Sequence, residues 1–179
     1  MSETTVKGLA DLQRMLDTLP AKIEANIMRG AMRAGAKVMQ DEAKALCPVG
    51  PPNEKNARLY GGRAGLLRDS IRIKTKLRHG TVTATVVAGG KDKKGGDAYY
   101  AHFVEYGTKP HVIRARNGKL LAIGVPVVQH PGTRPKPFMR PALDKNVQAS
   151  VQAAADYIRK RLATKHGIDV PAPPEEGDE

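Results

Sequence analysis

Apolar positions along the 179-residue chain change period several times, and each change predicts an element. Leu9, Leu12, Met15 and Leu16 recur at helical spacing over 8–18, and Pro20 closes that run. A long helix is predicted over about 20–46, where Ile23, Ile27, Ala31, Ala34, Val38 and Ala45 return every three or four residues. Gly30 and Gly35 weaken it by roughly 1 kcal/mol each relative to Ala, but they permit a close approach by another helix. Pro48 stops it, and the Pro- and Gly-rich stretch 48–63 reads as a flexible loop. A short helical turn follows at 64–69.

From residue 70 the period drops to two. Ile71, Ile73, Thr75 and Leu77 alternate with Arg72, Lys74, Lys76 and Arg78, so one face is apolar and the other entirely cationic. His79-Gly80 supplies a tight turn, and Val82, Ala84, Val86 and Ala88 repeat the alternation, which predicts a β-hairpin. Residues 89–97 form a second flexible, basic loop. Residues 98–108 read as either a strand or a short helix. A second hairpin is expected at about 111–115 and 119–128, turning at Asn117-Gly118, with a Pro-rich connector at 129–137. A final helix over about 138–165 carries a stripe of Leu143, Val147, Val151, Ala154, Ala155, Ile158 and Leu162, with Pro141 tolerated in its first turn.

These elements predict an α+β fold: an antiparallel sheet of about four strands packed against a long N-terminal and a long C-terminal helix. Residues 1–166 are expected to form a single domain. The segment 167–179 is expected to be a disordered, Pro-rich acidic tail.

Charge adds a partner class. Thirty Lys and Arg against eighteen Asp and Glu give a net charge of +12. Five of the acids (Asp169, Glu175, Glu176, Asp178 and Glu179) lie in the tail, which has no Lys or Arg. The rest of the chain therefore sets thirty bases against thirteen acids and expects a polyanion or an acidic protein surface. Aromatics are 4% of residues, with no Trp, so the core must be aliphatic. No apolar run is long enough for a membrane span, and the first residues lack the apolar core of a secretory signal. A reducing cytoplasm is the default compartment.

Catalytic chemistry finds no constellation. His79, His102, His111, His130 and His166 are scattered, and His102 with Glu105 is two groups short of a zinc site. Cys47, the one cysteine, lacks a positioned base and reads as a small hydrophobe. GGKDKKGG lacks the order that cradles a phosphate. No enzyme, cofactor or metal is expected. The strongest binding candidate is the cationic face of Arg72, Lys74, Lys76 and Arg78, which Arg63, Arg68 and the lysines of 91–94 could extend. No aromatics interleave with it and no recognition helix is present, so any contact with DNA falls on the backbone.

Three motifs, in order, resemble a known family. They are Pro48 followed by Gly65-Leu66-Leu67-Arg68-Asp69-Ser70-Ile71; then Tyr100-Ala101-His102-Phe103-Val104-Glu105-Tyr106-Gly107-Thr108; then Pro135-Lys136-Pro137-Phe138-Met139-Arg140-Pro141-Ala142-Leu143. Together they resemble the neck, tail-completion and head–tail joining minor tail proteins of tailed bacteriophages. The loop 48–63 and the acidic tail depart from that pattern. The resemblance implies a non-enzymatic virion protein, assembled in the host cytoplasm. It would join the tail to the filled head as a homo-oligomeric ring of six copies around the DNA channel. Its partners would be neighbouring neck and tail proteins, with non-specific contact to genomic DNA and no membrane. The motif residues Pro48, Gly65, Leu67, Ser70, Tyr100, Ala101, Glu105, Gly107, Thr108, Pro137, Phe138, Arg140, Pro141 and Ala142 are expected to be structural. Glu105, the one acid in an apolar run, should either pair with an Arg, cap backbone amides, or stand as an edge charge. The rival reading is a free nucleic-acid-binding protein without sequence preference.

Overall fold

The computed structural model describes residues 13–14, 17, 21–50, 63–91, 96–115, 120–121 and 124–166. Most of the helix expected at 8–18, the middle of the loop 48–63, the Asn117-Gly118 turn and the acidic tail lie outside them. Residues 13, 14 and 17 are helical and exposed. Eight elements follow: α1 (Ala21–Leu46), α2 (Leu66–Ser70), β1 (Arg72–Arg78), β2 (Thr81–Val87), α3 (Ala101–Tyr106), β3 (His111–Arg114), β4 (Val127–His130) and α4 (Met139–His166). They gather into two compact units. One holds Met1–Leu46, Ile71–Val87 and Pro141–Glu179, and the other holds Cys47–Ser70 and Ala88–Arg140.

In the first unit α1 and α4 lie against each other. Ile27, Ala31, Ala155, Ile158 and Leu162 form the core, with Met28, Ala154 and Tyr157 packed on it. Burying each of the larger aliphatic side chains stabilises by about 1.5–3 kcal/mol. Two glycines of α1 lie where α4 leaves no room for a side chain. A Cβ added at Gly35 would stand 2.6 Å from the carbonyl oxygen of Ser150, and one at Gly30 would collide with the Tyr157 ring. Close approach also decides which face of α4 is buried. Ala142 and Ser150 are buried, whereas Leu143 and Val147 of the expected stripe are exposed. Small residues let the backbones meet, and that contact outranks the larger side chains one position along. On α1, Ala36 and Ala43 are buried, while Ala45 is exposed.

The hairpin β1–β2 completes this unit. Its register runs from Arg72↔Val87 to Arg78↔Thr81. The turn residues His79 (φ 47°) and Gly80 (φ 79°) both have positive φ, the geometry of a type I′ turn that matches strand twist. α1 packs along both strands, and its Gln40 side-chain amide donates to the Ile71 carbonyl at 2.8 Å.

In the second unit the undecided segment 98–108 contains the short helix α3. The second hairpin forms, but its returning strand is displaced from the expected range. β3 pairs with β4 from His111↔His130 to Arg114↔Val127, so the returning strand lies at 127–130 rather than 119–128. Pro126 has no N–H for the ladder. Its carbonyl takes the last bond, from the Ala115 amide at 2.8 Å, and before it the Leu121 amide donates to the Val125 carbonyl at 2.8 Å. The single sheet of about four strands is thus corrected to two antiparallel sheets of two strands each. Among the described residues the chain between the hairpins forms α3, and isolated bridges pair Lys91 with Asp97 and Thr108 with Thr133.

Candidate functional site

On β1, Arg72, Lys74, Lys76 and Arg78 share one face, opposite Val87, Thr85, Thr83 and Thr81 of β2. The alternate residues Ile73 and Thr75, with Val82, Ala84 and Val86, are half-buried on the other face, the side on which a packed helix can shield them. Lys74, Lys76, Arg78, Thr81, Thr83 and Thr85 are exposed, and Arg72 is half-buried. Among the residues of the hairpin itself no acid stands on this face, and among the described residues Lys74, Lys76 and Arg78 form no ion pair. Like charges two residues apart on a strand sit roughly 6–7 Å from one another and repel. The hairpin tolerates this because water screens the face, and a polyanion would relieve it.

The proposed extensions of this patch fare differently. Arg63 pairs with Asp69 at 2.7 Å, Arg68 lies 3.7 Å from the same carboxylate, and Lys91 is exposed in a bridge to Asp97. The lysines at 93 and 94 lie outside the described residues.

The second unit resolves the role of Glu105. Its carboxylate, on α3, is buried and accepts three backbone N–H bonds from the start of α4. Oε2 takes those of Phe138 (2.8 Å) and Met139 (3.0 Å), and Oε1 takes that of Arg140 (3.0 Å). A helix leaves four N–H groups unsatisfied at its start. Here three meet a carboxylate at the positive end of the helix dipole, and the fourth residue is Pro141, which has none. Burial alone would raise the carboxyl pKa. The three amides and the nearby Arg140 charge outweigh it and hold the group below its ordinary value.

Further backbone bonds hold the segments that flank this cap. Thr108 and Thr133 exchange backbone bonds at 2.9 and 3.1 Å, and the Lys136 amide donates to Val104 at 2.8 Å. Gly107, at φ 70° and ψ −175°, lies where a Cβ would meet the Thr133 carbonyl and stand 2.9 Å from the Pro135 nitrogen. Phe138 is fully buried beside the cap, and Pro137 and Arg140 are exposed. The first motif makes a second joint. Buried Ser70 donates to the Leu67 carbonyl at 2.6 Å and accepts the Gly89 amide at 2.9 Å. A Cβ on Gly89 would stand 3.0 Å from that of Ala101. Gly65 enters α2 with φ 75°, Leu67 is buried, and Pro48 follows the end of α1. Half-buried Tyr100 precedes α3, and burial, then Cys47 and Tyr99, raise its pKa. Ala142 is buried in α4.

Two groupings escaped the sequence reading. His111 and His130 face each other across β3–β4 with ring centroids 5.0 Å apart. Their cross-strand pairing depended on a register the sequence did not specify. Tyr99, Phe103 and Tyr106 are all exposed around α3. Their spacing of four and three becomes meaningful once 98–108 is known to contain a helix.

Cys47 is buried, and desolvation, offset in part by Arg68, pushes its thiol up to about 11. Such a thiol is almost wholly protonated at neutral pH and a poor nucleophile. Among the described residues no three His, Cys, Asp or Glu side chains gather as metal ligands, and no helix is long and apolar enough to cross a membrane.

The charged hairpin face belongs to the first unit and the carboxylate-capped frame to the second. The model of the HK97-gp10-like family, whose description reads "Bacteriophage HK97-gp10, putative tail-component", matches residues 10–107, more than half of the chain. The chain belongs to this family, and the match spans the first motif and the second as far as Gly107. No curated protein and no solved structure matches it.

Proposed function

We propose that this chain acts in tail completion and head–tail joining, as a homo-oligomeric ring around the DNA channel with the β1 face turned toward the polyanion. Membership of a phage tail-component family supports a structural role in the virion and contacts with other tail proteins. The observation that carries the finer reading is the cationic face, with four bases on alternate residues, threonines opposite three of them and no acid among them. Closure into a ring needs one patch to meet a different patch on the next copy. Exposed Val112, Val125 and Val127 on and beside β3–β4, and Tyr99, Phe103 and Tyr106 around α3, supply apolar surface for such contacts.

The test is light scattering and co-sedimentation of the purified protein with tail tubes and filled heads, beside the variant Arg72→Glu/Lys76→Glu. A discrete ring or particle-bound protein is expected, with infectious yield lost in the variant. Unchanged yield would remove the β1 face from the mechanism. A monomer that ignores the particles yet binds duplex DNA with a steep salt dependence would establish the free nucleic-acid-binding reading instead.

A further inference from the structure

From Val82 to Val86, β2 reads Val-Thr-Ala-Thr-Val, the same in both directions. The two-residue turn makes Arg78 and Thr81 a hydrogen-bonded pair, so residues 72, 74, 76 and 78 and residues 81, 83, 85 and 87 spend their N–H and C=O groups between the strands. Val82, Ala84 and Val86 turn theirs to the outer edge of β2. Among the described residues no further strand pairs with that edge and no other backbone bond reaches it. We propose that the β2 edge pairs antiparallel with the β2 edge of a second copy, about a two-fold axis at Ala84, and joins two hairpins into one four-stranded sheet.

Charge chooses the edge. Edge strands avoid pairing with other chains by carrying Lys, Pro or a bulge. β1 carries four bases, and Gln40 takes the carbonyl of Ile71 just ahead of it. β2 is TVTATVV, with no charge, Pro or Gly and with every residue but Ala84 β-branched. Pairing two β1 edges would set cations opposite cations about 5 Å apart. Pairing two β2 edges keeps the rows of bases three strand spacings apart, about 14 Å, beyond the Debye length at physiological salt.

Register names the partner. Centred on Ala84, the strand is its own complement: Thr83 meets Thr85, Val82 meets Val86 and Ala84 meets Ala84 across the axis. Each of the outward residues then exchanges both backbone bonds, and the threonine pairs on the exposed side are favourable cross-strand neighbours. A two-fold axis within an antiparallel ladder stands perpendicular to the sheet. Both copies therefore turn α1 to one side and their bases to the other, which doubles the breadth of the cationic face. This contact uses one patch twice, so it is distinct from the head-to-tail contact that closes a ring, and it stands whether or not the ring forms.

The test is sedimentation velocity and residue-resolved amide exchange on the full chain over a range of concentrations. A two-copy species is expected, with the amides of Val82, Ala84 and Val86 about tenfold more protected in it than in the dilute monomer. Those of Thr81, Thr83 and Thr85 should be protected in both. Thr83→Glu/Thr85→Glu is the discriminating variant. Within its own hairpin the new acids stand opposite Lys76 and Lys74, which supports the fold, whereas across the axis they stand opposite each other. It should be monomeric with an unchanged circular dichroism spectrum. Ala84→Pro removes an outward N–H and leaves the hairpin's own ladder intact, so it should be monomeric as well. A wild type that stays monomeric at the highest concentration would overturn the proposal, and so would a Glu variant that pairs as strongly as the wild type. A ring in which Val82, Ala84 and Val86 exchange fast would overturn it too, while upholding the ring. Protection of those three amides in a pair that never closes into a ring would support it and count against the ring.

Discussion

Replacing Glu105 by Gln tests the joint that ties α3 to the start of α4. The substitution keeps the side chain's shape and one acceptor oxygen. That oxygen can still serve Phe138 and Met139, but the new NH2 then confronts the Arg140 amide, donor to donor. One charge-assisted bond is lost, about 1.5–3 kcal/mol. The carboxylate's favourable position at the helix start adds about 1 kcal/mol. Together the loss is about 3 kcal/mol, or roughly 10 °C in Tm for a chain of this size. Urea and thermal unfolding followed by circular dichroism measure it, and amide exchange at Phe138, Met139 and Arg140 localises it. The pH profile supplies a signature that mere loss of packing lacks. The carboxyl titrates below its ordinary 4.5 in the folded chain, so its contribution is fully present above that value. It is lost as pH falls through the folded pKa. The gap between wild type and Glu105→Gln should therefore be flat from neutrality down to about pH 5 and narrow at lower pH. A loss under about 1 kcal/mol at neutral pH, or a gap that does not narrow in acid, would refute the capping account.

Two further outcomes are expected. Gly35→Ala should destabilise the chain by about 1–3 kcal/mol in urea unfolding, although Ala favours a helix by about 1 kcal/mol, because the Ser150 carbonyl occupies the Cβ position. Cys47, buried and with its thiol near 11, should react with an aromatic disulfide at pH 8 only as fast as the fold opens, and at once in denaturant. Rapid labelling of the native protein would contradict its burial.

Period and punctuation alone determined the two long helices, the first hairpin and its cationic face. The α1 and α4 boundaries lie within a residue or so of Pro48 and the Pro137-Phe138 entry, because prolines act locally. The β1 alternation and the His79-Gly80 turn specify register between adjacent strands without help from distant residues. The three motifs pointed to a phage family on their order and residue types, before any geometry was known.

What only the tertiary structure decided involves residues far apart in the chain. Nothing local says that Glu105 lies beside Phe138, Met139 and Arg140, so its role stayed open among three readings until the two motifs met. The face α4 buries depended on where Gly35 lets Ser150 approach, a property of two helices together. Whether two hairpins join into one sheet is settled by competition among edges, helices and turns, and here they remain separate. Local dihedral preferences and side-chain period are written residue by residue. Partner choice depends on which distant groups satisfy each other's hydrogen bonds and volume, and it emerges only when the chain is folded.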